Sequence, residues 1–215
     1  LMIPILYEST ETAFTTNGLG RLADAISCTV TEERNGSFEL QMEYPITGVH
    51  YVDLAIRRII LAKPNQTDPT QPFRIYRVQT EQTRDGTMQV KAYARHLWYD
   101  LNDSILLDVR PTNLAGQDAI QWIMDRHFNA DFTDDPVYRY SYYSDITDEN
   151  SAEYQGVSLG SALIGTDNSI ANRWGGELFV DGYYFSICKQ LEGSLQNAFE
   201  IRYSVDLMDV TEDID

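Results

Sequence analysis

The sequence predicts an α+β fold that is mostly β, and three observations carry that expectation. Residues 26–44 alternate between apolar and polar around a turn, RNGS at 34–37, which is the pattern of a β-hairpin with one apolar face. Further short apolar or alternating runs, punctuated by Pro, Gly, Asn and Asp, fill the chain to about residue 96. After Pro111 the apolar period changes from two to 3.6, the mark of a helix packed on one face. At 215 residues the chain has room for one large domain or two small ones.

In the opening hairpin Ile26, Cys28 and Val30 point one way and Ser27, Thr29 and Thr31 the other. Asn35 and Gly36 tolerate the positive φ of a tight turn. Phe38, Leu40, Met42 and Tyr44 then alternate with Glu39, Gln41 and Glu43, and Pro45, which has no N–H to donate, ends the strand. Residues 58–62 (RIILA) form a continuous apolar run, as in a strand covered on both faces. A polar loop with three prolines spans 63–72, a strand spans 73–80, Asp85-Gly86 is a turn, and a strand follows over 87–94 with Met88, Val90, Ala92 and Ala94 on one side. Short strands joined this way suggest a small barrel or a sandwich.

Thr112 or Asn113 is placed to cap a helix over 114–128, on which Ile120, Ile123, Met124, His127 and Phe128 share a face. Residues 129–156 are acidic and tyrosine-rich, with a strand expected within 137–143 and loop elsewhere. Two short helices, 158–164 and 168–174, break near Gly165, and Gly175-Gly176 ends the second. A second hairpin follows over 177–187, with Asp181-Gly182 as its turn, so that Val180 faces Tyr183 and Leu178 faces Phe185. Phe199, Ile201, Tyr203 and Val205 alternate with Glu200, Arg202 and Ser204 in a last strand, and the acidic end DVTEDID reads as a truncation point.

The formal net charge is −17, from 33 acidic against 16 basic residues. That balance opposes binding to nucleic-acid phosphates or to an anionic membrane, both of which need clustered cations. No apolar run reaches the roughly 18 residues of a membrane span, and no secretory signal is visible. Cys28 and Cys188 fit the role of small buried hydrophobes better than that of a disulfide. No GxSxG, Walker A, HExxH or CxxC pattern occurs. The Gly18-Leu19-Gly20 spacing precedes a strand instead of opening a helix, so it is a turn. His50, His96 and His127 are scattered without metal-ligand spacing, and His127 reads as a hydrogen-bonded core residue. No catalytic, cofactor-binding or metal residue is assigned and no cofactor is expected. Carboxylate pairs such as Glu32-Glu33, Asp134-Asp135 and Asp148-Glu149 arise by chance in so acidic a chain. Tyr138, Tyr140, Tyr142, Tyr143 and Tyr154 suit either a contact surface or ordinary packing.

Several stretches together carry a resemblance. MIPILYES, NGLGRLADAISCTVTEERNGSFELQMEYPITG, QPFRIYRV, RHLWYDL (with His96, Tyr99, Asp100 and Leu101), SDIT at 144–147 and SLGSALIGTDNSIANRWGGEL at 158–178 resemble, in order, the phage minor structural protein or prophage endopeptidase tail protein family. The final EIRYSVDLMDV is similar to that family's next strand. Glu192-Gly193 and Ser204-Val205 depart from the family's Arg-Gly and Gly-Lys, which bears on local turn geometry. The resemblance implies the N-terminal part of a tail-tip protein similar to phage baseplate hubs. Its expected organisation is a first β-barrel tube domain over 1–105, an inserted α+β domain over 106–176, and over 177–215 the lead into a second barrel. It implies a homotrimeric ring in the virion that continues the tail tube. That ring would meet tube, distal-tail adaptor and tape-measure proteins, and DNA would pass through it without specific binding. Any hydrolase is expected only in a further C-terminal domain. Glu39 and Glu43 become candidate acids of a lumen or of a subunit face, since an acidic lumen repels phosphate. Two other functions remain in view: a cell-wall hydrolase or protease using acids within 129–156, and a carbohydrate-binding module using the tyrosines.

Overall fold

The computed structural model describes residues 2–84, 86–129 and 135–190. Its first half is one antiparallel sheet of seven strands: β1 (Ile5–Tyr7), β2 (Gly20–Arg21), β3 (Ser27–Glu32), β4 (Phe38–Pro45), β5 (Ile59–Ala62), β6 (Gln71–Gln82) and β7 (Met88–His96). The order across the sheet is β2-β1-β5-β6-β7-β4-β3, and the sheet curls into a half-barrel with β2 and β3 outermost among the described residues. The opening hairpin forms with Cys28 opposite Met42, Val30 opposite Leu40 and Glu32 opposite Phe38. Asn35 adopts φ 51° in its turn. Leu40, Met42 and Tyr44 are buried, as the alternation requires.

All four residues of β5 are buried, and its two faces serve different clusters. Ile60 and Ala62 join Leu6, Leu40, Met42, Phe73, Ile75 and Ala92 in the concave core, while Ile59 and Leu61 pack with Tyr7 and Leu97 on the opposite side. Only a run without polar residues can sit between two apolar layers. β6 is longer than expected, taking in Pro72 at its start and Gln82 at its end. Its pairing with β7 shifts between Ile75, opposite Ala94, and Arg77, opposite Tyr93. This bulge at Tyr76 adds a residue to one strand and bends it, which helps the sheet curl.

Between β1 and β2 the chain returns tightly. Gly18 has φ +53°, and a Cβ there would lie 2.3 Å from the backbone oxygen of Leu6. Gly18→Ala is therefore expected to lower the unfolding free energy by more than about 2 kcal/mol in urea, from left-handed strain and a clash with backbone that cannot move aside.

The second half opens with a 3-10 segment, Leu97–Asp103, followed by β8 (Ile105–Val109) and α1 (Gly116–Met124). After a 3-10 turn, Pro136–Arg139, come β9 (Ser141–Tyr143), β10 (Tyr154–Ser158), α2 (Leu159–Leu163), α3 (Ile170–Trp174), β11 (Glu177–Asp181) and β12 (Tyr184–Cys188). β8 pairs with β10, and β12 joins antiparallel β11 to parallel β9. These elements enclose a second core in which Trp98 and Leu101 meet Ile120, Ile123, Leu159, Ile170, Trp174, Phe185 and Ile187. Ser158 and Ser169 cap α2 and α3 through their hydroxyls, and Gly175 at φ 76° ends α3.

Three expectations need correction. First, α1 is shorter than 114–128, and its N-cap is Ala115, not Thr112 or Asn113. Leu114 exchanges backbone hydrogen bonds with Asn150, Asn113 turns to φ 50° and receives no capping role, and the Gly116 N–H donates to Ile146 O instead. At the other end Phe128 exchanges backbone bonds with Ile105, so the helix cannot continue through it. Second, the strand expected within 137–143 is confined to Ser141–Tyr143, after a 3-10 turn, and residues 154–156, expected as loop, open the strand β10 that pairs with β8. Third, the late hairpin turns at Gly182-Tyr183, with Asp181 opposite Tyr184, Val180 opposite Phe185 and Leu178 opposite Ile187. The slip is by two residues, so Leu178, Val180, Phe185 and Ile187 keep their common side. Gln71 directs it: its side chain donates to Asp181 Oδ1 at 3.0 Å and accepts from Gly182 N at 3.0 Å. The strand expected over 199–205, the motif departures at 192–193 and 204–205, and the Asp85 and Asp134 positions lie outside the described residues.

Candidate functional site

The alternation that buries Phe38, Leu40 and Met42 sends Glu39, Gln41 and Glu43 to the outer face of the sheet. Strand pairing then builds rows across that face: Thr31, Glu39 and Arg95; Thr29, Gln41, Tyr93 and Arg77; Ser27, Glu43, Lys91 and Gln79. Glu39 Oε1 is 3.0 Å from Arg95 Nε, and Glu43 Oε1 is 3.3 Å from Lys91 Nζ. Lys91 also reaches Glu81 Oε1 at 2.9 Å. Hydrogen bonds from Lys91 and then Gln89 hold the Glu81 carboxyl below its ordinary range, and the same carboxylates hold Lys91 above its own. Arg95 stacks over Tyr76 at 4.4 Å from the ring centroid, and Arg77 over Tyr93 at 5.1 Å. Between β3 and β6 this face is hollowed into a shallow groove of about 470 Å³.

Glu39 and Glu43 thus share one exposed face, as the sequence pattern requires, but each is matched by a cation across the strand. Their surroundings are mixed in charge and carry aromatic rings. Such a face can make hydrogen bonds, ion pairs and stacking contacts with another protein surface. Nothing in the local sequence around Glu39 announces Arg95 or Lys91 as partners, since they lie some fifty residues away and meet the acids only through β-pairing.

Arg74, Asp100 and the three histidines have structural partners. Arg74 grips Asp100 through Nε and Nη2, with three contacts of 2.8–2.9 Å, and its Nη1 donates to the Ser9 and Arg57 carbonyls. His96 is fully buried, and burial lowers its pKa to about 3. Its Nδ1 accepts from Trp98 N at 3.1 Å and its Nε2 donates to Gln71 Oε1 at 3.1 Å. Because Gln71 also bonds to Asp181 and Gly182 at the start of the late turn, this chain of bonds ties the first sheet to the late hairpin. His50 lies 3.1 Å from Asp53 Oδ2, and His127 sits between the Met124 carbonyl and the Asp135 carboxylate. The three histidines are thus in three separate places, and His127 is the hydrogen-bonded interior residue its helical spacing suggested, though it lies just beyond the helix. Among the described residues no cluster of three or more His, Cys, Asp or Glu could hold a metal ion, and no helix is long and apolar enough to cross a membrane.

The acidic tyrosine-rich region divides. Tyr140 and Tyr154 are buried, Tyr142 stacks on Phe185, and only Tyr138 and Tyr143 among the five are exposed. Asp135 caps Val137 N, Asp145 accepts from Lys189 N, and Asp148 pairs with Lys189 Nζ. These carboxylates are spent on backbone and surface contacts, and the tyrosines do not assemble a flat stacking platform. Both cysteines are free and half-buried, and burial pushes the Cys28 thiol up to about 11, in keeping with a small hydrophobe beside the core.

No protein-family model and no curated protein sequence matches the chain. Among solved structures, the crystal structure of the prophage tail protein gp18 from Listeria monocytogenes EGD-e is similar over 87% of this chain and 50% of its own, with a TM-score of 0.55 at 13% identity. The chain spans about half the length of that protein. Its mostly β architecture, with the curled half-barrel sheet, is therefore the fold of a prophage tail protein.

Proposed function

We propose that this chain is a structural component of a phage or prophage tail, the N-terminal portion of a tail-tip hub. The fold likeness to a prophage tail protein over 87% of the chain carries the reading. The resemblance of the motifs in the same order supports it, as does the use of the buried acids and histidines for structure. The work of such a protein is assembly: sheets from three copies associate in a ring, continue the tail tube, meet adaptor and tape-measure proteins, and let DNA pass. In this reading Glu39 and Glu43 belong to a subunit face more than to a lumen, because each is ion-paired, Glu39 with Arg95 and Glu43 with a Lys91 it shares with Glu81. The acid excess of the chain, −17 overall, then supplies phosphate repulsion from other surfaces of the ring.

The test is to label purified tails of the virus or prophage that carries this sequence with antibody to the chain. Label at the distal end of the tail is the expected result, and a tail without label overturns the proposal. Sedimentation equilibrium at several concentrations then reads the ring itself: a mass rising toward three chains supports it, and a dimer at all concentrations contradicts it.

A further inference from the structure

We propose that the outer face of the β9-β12-β11 sheet is a binding tray for an extended, uncharged β-1,4-linked glycan, with Tyr143 and Phe179 stacking on alternate sugars. The face is built by strand pairing. Leu178, Val180, Phe185 and Ile187 enter the second core, and Tyr142 stacks on Phe185 there, so the residues between them point outward. Phe179 is opposite Ser186, and Ser186 is opposite Tyr143. In the next outward row Asp181 is opposite Tyr184, and Tyr184 is opposite Ser141. Two rings thus flank a serine, and a third ring stands diagonally beside it.

These rings stand in water. Tyr143 is 51% exposed, Phe179 45% and Tyr184 36%. Single exposed aromatics are ordinary, but three on adjacent rows of one small face form a contiguous apolar patch. Phe179 has no polar tip to hydrate, and its ring meets the edge of Tyr184 at 6.4 Å between centroids. Ser186, only 6% exposed, is too short to fill the space between Phe179 and Tyr143 and forms the floor. Tyr143 therefore takes its neighbours from the late hairpin and not from the other tyrosines of 129–156.

Size, charge and spacing select the occupant. The face measures about 10 Å across its three strands and about 17 Å along them. That is far below the roughly 800 Å² per partner of a stable protein interface. A net charge of −17 repels a polyanion, whereas an uncharged glycan meets no such repulsion. The C–H faces of pyranose rings carry partial positive charge and pack on the negative face of an aromatic ring. Successive units of an extended β-1,4 chain turn over, so units one and three present the same face. Phe179 and Tyr143 sit two strands apart, about 10 Å, a separation suited to alternate units. The Asp181 carboxylate is held by Gln71 Nε2 at 3.0 Å and keeps lone pairs for sugar hydroxyls, as do the hydroxyls of Ser141 and Tyr184.

Calorimetric titration of the full chain with β-1,4-linked N-acetylglucosamine oligomers of two, three and six units tests this. Three units are the fewest that reach both flanking rings, so the trisaccharide is expected to bind at least ~10-fold more tightly than the disaccharide. Phe179→Ala and Tyr143→Ala are each expected to remove that gain. Tyr138→Ala, at a ring 83% exposed on the 3-10 turn, is expected to keep it. No binding of the hexasaccharide at millimolar concentration overturns the proposal, as does equal affinity for two and three units. A gain that survives in both Phe179→Ala and Tyr143→Ala overturns it too. If no oligomer binds and Phe179→Ala lowers the sedimenting mass, the face belongs to a second copy and the glycan is excluded. None of these readings depends on whether the protein belongs to a tail.

Discussion

Arg74→Met is expected to lower the unfolding free energy by about 3–5 kcal/mol in urea or guanidinium titrations. The side chains of Arg74 and Asp100 are only 12% and 11% exposed. Burial opposes both charges and pushes the Asp100 carboxyl up, while hydrogen bonds and charge from Asp100 hold Arg74 protonated. Removing the guanidinium leaves a buried carboxylate with its partner gone and frees the Ser9 and Arg57 carbonyls that Nη1 had satisfied. Arg57 and Arg139 line the same small cavity and soften the loss toward the lower end of that range. The double variant Arg74→Met with Asp100→Leu is expected to recover much of the difference, because an apolar pair carries no desolvation debt. A double variant as unstable as the single one would show that the carbonyl contacts, and not the orphaned charge, dominate.

Acid should destabilise the protein through His96 by about 1.4 kcal/mol per pH unit between pH 6.5 and 3. The sign follows from the lowered pKa of about 3 in the fold. In that window the unfolded chain binds a proton at this residue and the folded one does not, so stability is complete above the unfolded value and falls as pH drops. At pH 5 the loss from this residue is about 2 kcal/mol. Paired carboxylates such as Asp53 also shift with acid, so the clean measurement is the difference between the native chain and His96→Asn across the pH range. Asn can still accept from Trp98 N in place of Nδ1, but it does not titrate. The difference between the two curves is expected to slope through this window, and parallel curves would show that His96 does not stay neutral inside the fold. Because Nε2 holds Gln71, and Gln71 holds Asp181 and Gly182 at the late hairpin's turn, protonation also loosens the link between the first sheet and that hairpin.

Legibility varied with how local the deciding interaction is. The 27–45 hairpin was readable because its turn residues and alternation are neighbours in sequence, and its register follows from them. β5 was readable because a strand between two apolar layers must itself be apolar throughout. β6 was only half readable. Phe73, Ile75 and Val78 face the core, but the phase slips at Tyr76, and only the pairing with β7 shows that slip to be a bulge. The limits of α1 were missed because Leu114 and Phe128 are drawn into backbone pairs with Asn150 and Ile105, partners far along the chain. The late hairpin slipped by two residues because Gln71, 110 residues away, fixes its turn.

The same distinction governs the candidate surface. The sequence by itself determined that Glu39 and Glu43 share a solvent face opposite the core, because side-chain direction in a strand is fixed by period two. It also determined that no familiar catalytic spacing is present, and that the cysteines pack as small hydrophobes. Only the tertiary structure decided that those acids are paired with Arg95 and Lys91, and that His96 is buried and bonded to Trp98 N and Gln71. Each of these depends on which strands become neighbours. Strand neighbours are chosen by the burial of whole faces at once, a global balance that a local run of residues does not encode.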